Sequence, residues 1–521
     1  FFLLISALSK IGILAWGTAV INLFVVVLSL LFIFKHFRAV HQGFAITGIL
    51  LFGTLYLLTN SFNSVAATYL FSSGLQASNI ASFATISALL CFLKSKYWVC
   101  GIWLALAGLF HINFLLVNMV AFGLAFALLE AKTIYRSLRL KPSQMTRLTQ
   151  LLAPSTVYFL FCLPLILDLS QSSKDEHVAQ LATQAFFQFA VPHHYLPNSY
   201  LMDFLSVLGW QLVGISFLNL TRRCRQLSAL FHGCFIVIWV ATALTTLVFV
   251  EPVARMFFWR LAPFCMVLVC IAIYTGITEV IGKRCQVTKR QLFIATVGTI
   301  FGALFILRMQ LYYYDFTDLR VIIFAAVLAG IIAVPLLQCL ALPCTAGVNF
   351  KALSRCALGV TVLLVVGSYY ATFNAEKYSL IFLTEQEKNR RQLYSFVNQH
   401  TALDTHILIP PELDAFRLFS ERSVVVDFKA LPLGQANLVE WYRRLGDISG
   451  VTLPQSFHEV RQGYRKLDAA RLKELQRRYN ISHVVLNTQQ PHEFASWQRI
   501  FKNGDYVLLR AQDHAQSRVE Q

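Results

Sequence analysis

A chain of 521 residues that is 57% hydrophobic, 14% aromatic and only 13% charged, with a mean hydropathy of +0.59, is not a water-soluble enzyme. Its formal charge of +18 sits in short basic loops without interleaved aromatics, which argues against nucleic acid as a partner. What remains is a polytopic membrane protein. Apolar runs close to the roughly 20 residues an α-helix needs to cross about 30 Å of hydrocarbon recur through residue 374, and the alternating short strands of a membrane barrel are absent.

The opening, FFLLISALSKIG, has no initiating Met, no charged n-region and no small-residue cleavage site, so it does not read as a signal peptide. It is expected to continue from an upstream segment. Spans are predicted near 13 to 35, 44 to 58, 76 to 93, 97 to 110, 114 to 130, 151 to 168, 199 to 219, 228 to 250, 258 to 281, 291 to 311, 321 to 343 and 356 to 374. The stretch 97 to 131 is too long for one crossing and has basic loops at both ends, so it is predicted to run out and back as a hairpin turning at His111 and Asn113.

Lys and Arg near span ends stay cytoplasmic. The loops Lys35 to Arg38, Lys94 to Lys96, Lys132 to Arg147, Arg222 to Arg225, Lys283 to Arg290 and Lys351 to Arg355 are therefore predicted to face inward. The segments around 59 to 75, 111 to 113, 169 to 198, 251 to 257 and 312 to 319 then face outward. Two domains result: a transmembrane domain of about 11 to 12 helices at 1 to 374 and an extracytoplasmic soluble domain at 375 to 521. The 11 cysteines all fall in the first, without a CxxC pair, as small buried hydrophobes would.

The tail opens with a polar helical stretch, TEQEKNRRQLYSFVNQHT, followed by two short β-branched runs, HILIPP and RSVVVDF. Helical patterning follows in NLVEWYRRLGDI and DAARLKELQRRYN, then strand-like ISHVVLN and DYVLLR. Strands alternating with helices predict a small α/β layer structure. No Gly-rich phosphate loop opens any of its helices.

The phrases LAGLFHINFLLV, VPHHYLPNSY, RMFFWRLAP and PPELDAFRLFSERSVVVDFKALP, set in this architecture, resemble a bacterial branch of the GT-C superfamily of membrane glycosyltransferases. That group contains oligosaccharyltransferase, protein mannosyltransferases and arabinosyltransferases. The resemblance implies a multi-pass protein of the bacterial inner membrane. It implies a polyprenyl-phosphate-linked or diphosphate-linked sugar as donor and an envelope glycan, lipid or protein as acceptor. It also implies an acidic general base in a first outer loop, which is expected to lie upstream of residue 1.

Under that reading, the anionic leaving group needs positive charge and hydrogen-bond donors near the outer surface. Arg255 and Arg260 lie at that depth, with snorkelling or pairing with Glu251 as the alternative. His193 and His194, between prolines, and His111 at its turn suit the rim of such a site as donors, acids or bases. Visible outer acids are Asp175, Glu176, Glu251, Asp315 and Asp318. The first three are weak candidates for the base, behind the upstream loop. No DxD or HxxxH spacing marks a metal set, although a divalent metal stays open as a cofactor. The competing expectation is a non-catalytic scaffold or accessory subunit of the same architecture that binds a partner through its outer domain. A transporter is disfavoured because no internal repeat is visible.

Overall fold

The computed structural model of the chain describes residues 2–11, 14–45, 48–49, 51–53, 65–71, 75–137, 141–170, 175–221, 224–281, 288–313, 325–333, 385–432, 434–490 and 494–512. The predicted span at 356 to 374, most of those at 44 to 58 and 321 to 343, and Asp315 and Asp318 lie outside the described residues. The chain divides into two compact units, Phe1–Leu163 with His193–Phe373, and Pro164–Pro192 with Asn374–Gln521.

The first unit is helical. Its elements are α1 (Phe2–Lys10), α2 (Leu14–Val40), α3 (Ala77–Leu93), α4 (Tyr97–Phe110), α5 (Ile112–Ser137) and α6 (Pro142–Ser170, whose last turns belong to the second unit). Among the described residues, five helical stretches are long and apolar enough to cross a membrane: Val20–Val40, Ile112–Ala131, Arg225–Leu247, Glu251–Val280 and Lys289–Arg308. Three shorter apolar helices are Ala77–Leu93, Tyr97–Phe110 and Asp203–Leu218. The protein is thus mostly helical and built as a multi-pass membrane protein. Large side chains left exposed on these helices, such as Phe301 at 55% and Leu23 at 64%, suit hydrocarbon and would be out of place in water.

Several helix boundaries differ from the hydropathy reading, for local reasons. The chain leaves α4 at His111, whose backbone is extended (φ −152°, ψ 107°), before α5 begins. The run expected at 199 to 219 starts as a 3-10 turn, Pro197–Tyr200, because proline opens it, and becomes α9 only at Asp203–Leu218. Upstream of it lie α7 (Glu176–Thr183), a π-helical stretch at Gln184–Ala190 and the single turn α8 (Pro192–Tyr195). Downstream come α10 (Arg225–Leu247), α11 (Glu251–Met256), a 3-10 turn at Phe258–Leu261, α12 (Ala262–Ile281) and α13 (Lys289–Tyr313).

Without a hydrophobic drive between helices in lipid, close approach depends on small residues. Helices α9 and α13 meet through glycine: a Cβ on Gly209 would stand 2.6 Å from the Gly302 carbonyl oxygen, and one on Gly302 would stand 2.5 Å from that of Gly209. Gly298 and Gly302 make a G-x-x-x-G spacing on α13. Polar pairs add specificity between helices, with Asn79 Nδ2 donating to Asn22 Oδ1 at 2.6 Å and Asn118 Nδ2 donating to Thr85 Oγ1 at 2.9 Å.

The second unit is a sheet sandwiched by helices. After α14 (Glu385–His400) come β1 (His406–Leu408), α15 (Phe416–Ser420), β2 (Ser423–Val424), α16 (Gln435–Ser449), α17 (Phe457–Arg465), α18 (Ala469–Tyr479), β3 (His483–Asn487), β4 (Trp497–Lys502) and β5 (Tyr506–Ala511). Strand order is β2-β1-β3-β5-β4, with β2, β1 and β3 parallel and the β3-β5-β4 side antiparallel. Because both faces are covered, β3 and β5 are continuous apolar runs. Val484, Leu486, Val507 and Leu509 pack on one face with Trp441, Tyr442 and Tyr464. Val485, Tyr506 and Leu508 pack on the other with Leu393, Val397 and Phe416. Phe189, from the π-helical stretch, enters the first of these cores against Tyr442, with ring centroids 4.9 Å apart.

One buried cation ties the unit together. Arg422, 6% exposed, donates to the carbonyl oxygens of Asn398 and Thr401 (both 2.6 Å), Ser420 (3.1 Å) and Glu421 (3.3 Å), and to Thr401 Oγ1 (3.0 Å). The carbonyls at the C-terminal end of α14 have no partners within the helix, and a guanidinium there also complements the helix dipole. Replacing Arg422 by Ala is expected to destabilise this unit by about 3 kcal/mol, because those acceptors stay buried without donors. Lys, lacking the planar fork, should recover less than half of the loss. Denaturant unfolding read by hydrogen exchange in α14 and β1 checks both values.

Candidate functional site

In the helical unit, three stretches that leave regular helix converge. They are the 3-10 turn Val65–Ala67, the α8 region around His194, and the break between α11 and α12. His194 Nδ1 lies 2.8 Å from the Ala66 carbonyl oxygen. Its ring sits 5.5 Å from that of Phe257, and Tyr195 packs on the same ring at 5.1 Å. The turn at His111 joins through Phe114, whose ring is 5.4 Å from His111.

Arg260 lies within this aromatic wall. Its guanidinium carbon is 4.8 Å from the centre of the Phe257 ring and 5.5 Å from that of Phe114. Each such stacking contributes about 1 kcal/mol when partly desolvated. Among the described residues Arg260 has no carboxylate partner, and its Nε is shut off from solvent without an acceptor. A guanidinium nitrogen buried in that state is costly. Arg255, by contrast, is exposed and already neutralised: it pairs with Glu251 at 2.6 Å, with a further Nε bond of 2.7 Å.

Two residues that are not glycine adopt the left-handed backbone here. Ala66 has φ 59° and Phe257 has φ 56°, a conformation costing roughly 1 to 2 kcal/mol apiece. Both touch His194, so the strain is concentrated on the cluster itself. The turn at Phe257 sets Trp259 into the core, fully buried, with Nε1 donating to Thr242 Oγ1 at 3.0 Å. That anchor leaves Arg260, the next residue, facing the cluster.

The histidines differ in chemistry. Facing a carbonyl, His194 Nδ1 must carry the proton, so the neutral ring offers Nε2 as an acceptor. Burial first, then the positive charges of His193 and Arg260, hold its pKa at about 4 despite the opposing hydrogen bond to Ala66. Burial, then Arg260, likewise brings His111 down to about 4. Near neutral pH the site therefore carries one positive charge, on Arg260. His193 is exposed and packs at a tilt against His194, with centroids 4.1 Å apart.

The structure thus brings together Arg260, His111, His194 and, at the margin, His193. Glu251 is occupied by Arg255. Asp175 and Glu176 belong to the C-terminal unit, where Asp175 caps α7, its Oδ1 accepting from the backbone N–H groups of His177 (2.9 Å) and Val178 (3.4 Å). Glu176 Oε1 accepts from Gln180 Nε2 at 3.4 Å on the same helix. One acid was hidden by its apolar context: Asp203, 6% exposed, at the first position of α9. The Tyr200 ring, three residues before it, lies 6.0 Å from Trp259. The only cue in the sequence is its place just after the PNSY turn, where a helix N-terminus favours a carboxylate. Among the described residues no three His, Cys, Asp or Glu side chains converge to hold a metal ion.

Residues 388–448, from α14 through β1, α15 and β2 into α16, match a family described as a domain of unknown function (DUF6798). No curated protein matches the chain.

The His194 ring supplies a pH test. Its native pKa of about 4 lies below the ordinary 6.5, so between those values the unfolded chain takes up a proton that the native state refuses. Stability should therefore fall as pH drops through this window and level off below it. Thermal melts in detergent from pH 7 to pH 4 should show a shallower acid loss for His194→Gln than for the unaltered chain, with His111 among the groups that maintain the remaining slope.

Proposed function

We propose that the protein is a membrane glycosyltransferase of GT-C type that takes a sugar from a polyprenyl-phosphate-linked donor at the outer face of the bacterial inner membrane. In this reading the C-terminal unit lies outside the cytoplasm and meets an envelope acceptor. The observation that carries the proposal is Arg260, a guanidinium without a carboxylate partner among the described residues, walled by Phe257 and Phe114 and flanked by two neutral histidines. One positive charge beside apolar walls suits a phosphate ester on an isoprenoid chain.

In the transfer, the acceptor oxygen forms a bond to the anomeric carbon while the bond from that carbon to the phosphate oxygen breaks. The electron pair leaves with the phosphate. Arg260 offsets that growing charge from a site that is already organised, where a donor is worth more than in water. A base must take the acceptor proton. Asp203 is the described acid to test, buried at a helix N-terminus and linked through the Tyr200 ring to Trp259 beside Arg260.

The non-catalytic scaffold is the second reading. It is favoured by the engagement of Glu251, Asp175 and Glu176 in an ion pair, a helix cap and a hydrogen bond along their own helices.

Two measurements separate these readings. In nanodiscs, polyprenyl phosphate should bind saturably, with Arg260→Ala weakening it tenfold or more, about 1.4 kcal/mol, and Arg255→Ala changing it less than twofold. Binding indifferent to Arg260 would remove the proposed site. With a polyprenyl-phosphate sugar as donor, Asp203→Asn should cut turnover at least a hundredfold while donor affinity holds; undiminished turnover would exclude Asp203 as the base, and binding without any turnover by the unaltered protein would support the scaffold.

A further inference from the structure

Helices α4 and α6 meet at a glycine. A Cβ on Gly101 would stand 2.6 Å from the Gln150 carbonyl oxygen, 2.7 Å from that of Leu151 and 3.1 Å from Pro154 Cδ, so only a glycine lets them approach this closely. Toward the N-terminal ends of both helices an open groove of about 420 Å³ lies between them. That volume falls within the roughly 300 to 1,000 Å³ of ligand pockets. Trp98 forms one wall, and Pro142, Met145, Thr149 and Ala153, spaced by three and four along one face of α6, line the other.

The groove opens on the exposed apolar flank of both helices. Val99 and Ile102 stand out beside Trp98, and Val157 and Leu160 continue the flank along α6. In a bilayer such a flank meets acyl chains. An unfilled apolar groove forfeits dispersion contacts with its lining, and its floor offers water few partners.

The mouth of the groove is positive and held in place. The turn between α3 and α4 is closed by the Ser95 N–H on the Phe92 carbonyl and the Lys96 N–H on that of Cys91, both at 2.9 Å, while Gln226 Nε2 donates to Ser95 Oγ at 3.1 Å. This turn leaves Lys94 and Lys96 exposed, four and two residues before Trp98. On the other side Lys141, also exposed, directly precedes Pro142 and stands one turn before Met145. Its backbone N–H donates to Gln144 Oε1 at 2.9 Å and Gln144 Nε2 donates to Glu130, which ties the start of α6 to α5.

Glu130 is the one acid between residues 85 and 150, and besides Gln144 it engages Arg147 at 3.6 Å. Lys94, Lys96 and Lys141 have no carboxylate partner among the described residues. Both α4 and α6 also begin here, and the positive ends of their dipoles add to the three ammonium groups.

An occupant must be apolar along its length, anionic at its end, and at home among acyl chains. A soluble anion leaves the groove unfilled, and a zwitterionic lipid brings a cation of its own to the ammonium groups. We propose that the groove between α4 and α6 binds an anionic phospholipid, with one acyl chain against Trp98, Met145 and Ala153 and the phosphate at Lys96 and Lys141. The site uses no residue of the Arg260 cluster and does not depend on the transfer reaction proposed there.

The test follows Trp98 fluorescence in the full chain, taken as the difference between the unaltered protein and Trp98→Phe. In phosphatidylcholine nanodiscs, brominated phosphatidylglycerol or brominated phosphatidylcholine replaces a rising fraction of the lipid. Half-quenching should need about tenfold less of the glycerol lipid. Lys96→Gln with Lys141→Gln should abolish that preference, Thr149→Phe should reduce quenching by filling the groove, and Arg260→Ala should change neither. If the double variant fails to fold, Lys96→Gln alone must lower the preference about threefold. Equal quenching by the two lipids overturns the proposal, as does a preference that survives the lysine changes. Competition by chain-free glycerophosphoglycerol at equal concentration overturns it by showing that the acyl chain plays no part. Reversal of the quenching by polyprenyl phosphate at equal mole fraction overturns it by assigning the groove to another lipid. Loss of polyprenyl phosphate binding in Arg260→Ala is read separately, so either proposal can fail without the other.

Discussion

In hydrocarbon every peptide N–H and C=O must find its partner within the protein, and helices do this most simply. The helical unit follows that constraint through most of its length. It departs from helix where proline, a left-handed residue or an extended residue interrupts the ladder, at Val65–Ala67, His111, Pro197–Tyr200 and Phe257. Each departure frees backbone groups that need other partners, and His194 takes one of them, the Ala66 carbonyl. The interruptions that cost the fold most are thus the places where its polar side chains gather.

Three arginines illustrate how placement decides role. Arg422 is buried and saturated by carbonyls, so its charge serves the fold of the sheet unit. Arg255 is exposed and paired with Glu251 one helical turn away, an arrangement worth a few tenths of a kcal/mol. Among the described residues Arg260 has neither carbonyls nor a carboxylate, only aromatic faces. Aromatic faces offset part of its desolvation while leaving the buried Nε–H without an acceptor.

Much of the architecture was legible in the linear chain because its cause is local. The hydropathy of Ile112–Ala131 and Arg225–Leu247 reports directly on lipid, and the apolar runs HVVLN and YVLLR report on strands covered on both faces. Strand β4, WQRIFK, escaped the reading because it is a half-exposed edge with a bulge and lacks clean alternation. Its hairpin carried a signal all the same: Asn503–Gly504 between two strands, with Asn503 Oδ1 accepting from the Tyr506 N–H at 2.9 Å. Strand β2 is shorter than RSVVVDF suggests because Asp427 turns the chain to close its loop.

By itself the sequence determined that the chain has apolar helices of membrane length, a polar α/β tail, and basic loops between spans, since these follow from residue type and period alone. Only the tertiary structure decided that Asp203 is buried, that Arg255 pairs with Glu251 while Arg260 has no carboxylate among the described residues, and that Phe189 belongs to the core of the sheet unit. Those facts depend on partners distant in the chain. Whether a charge or an amide is satisfied is set by what the fold brings within about 3 Å of it, and no local pattern carries that information.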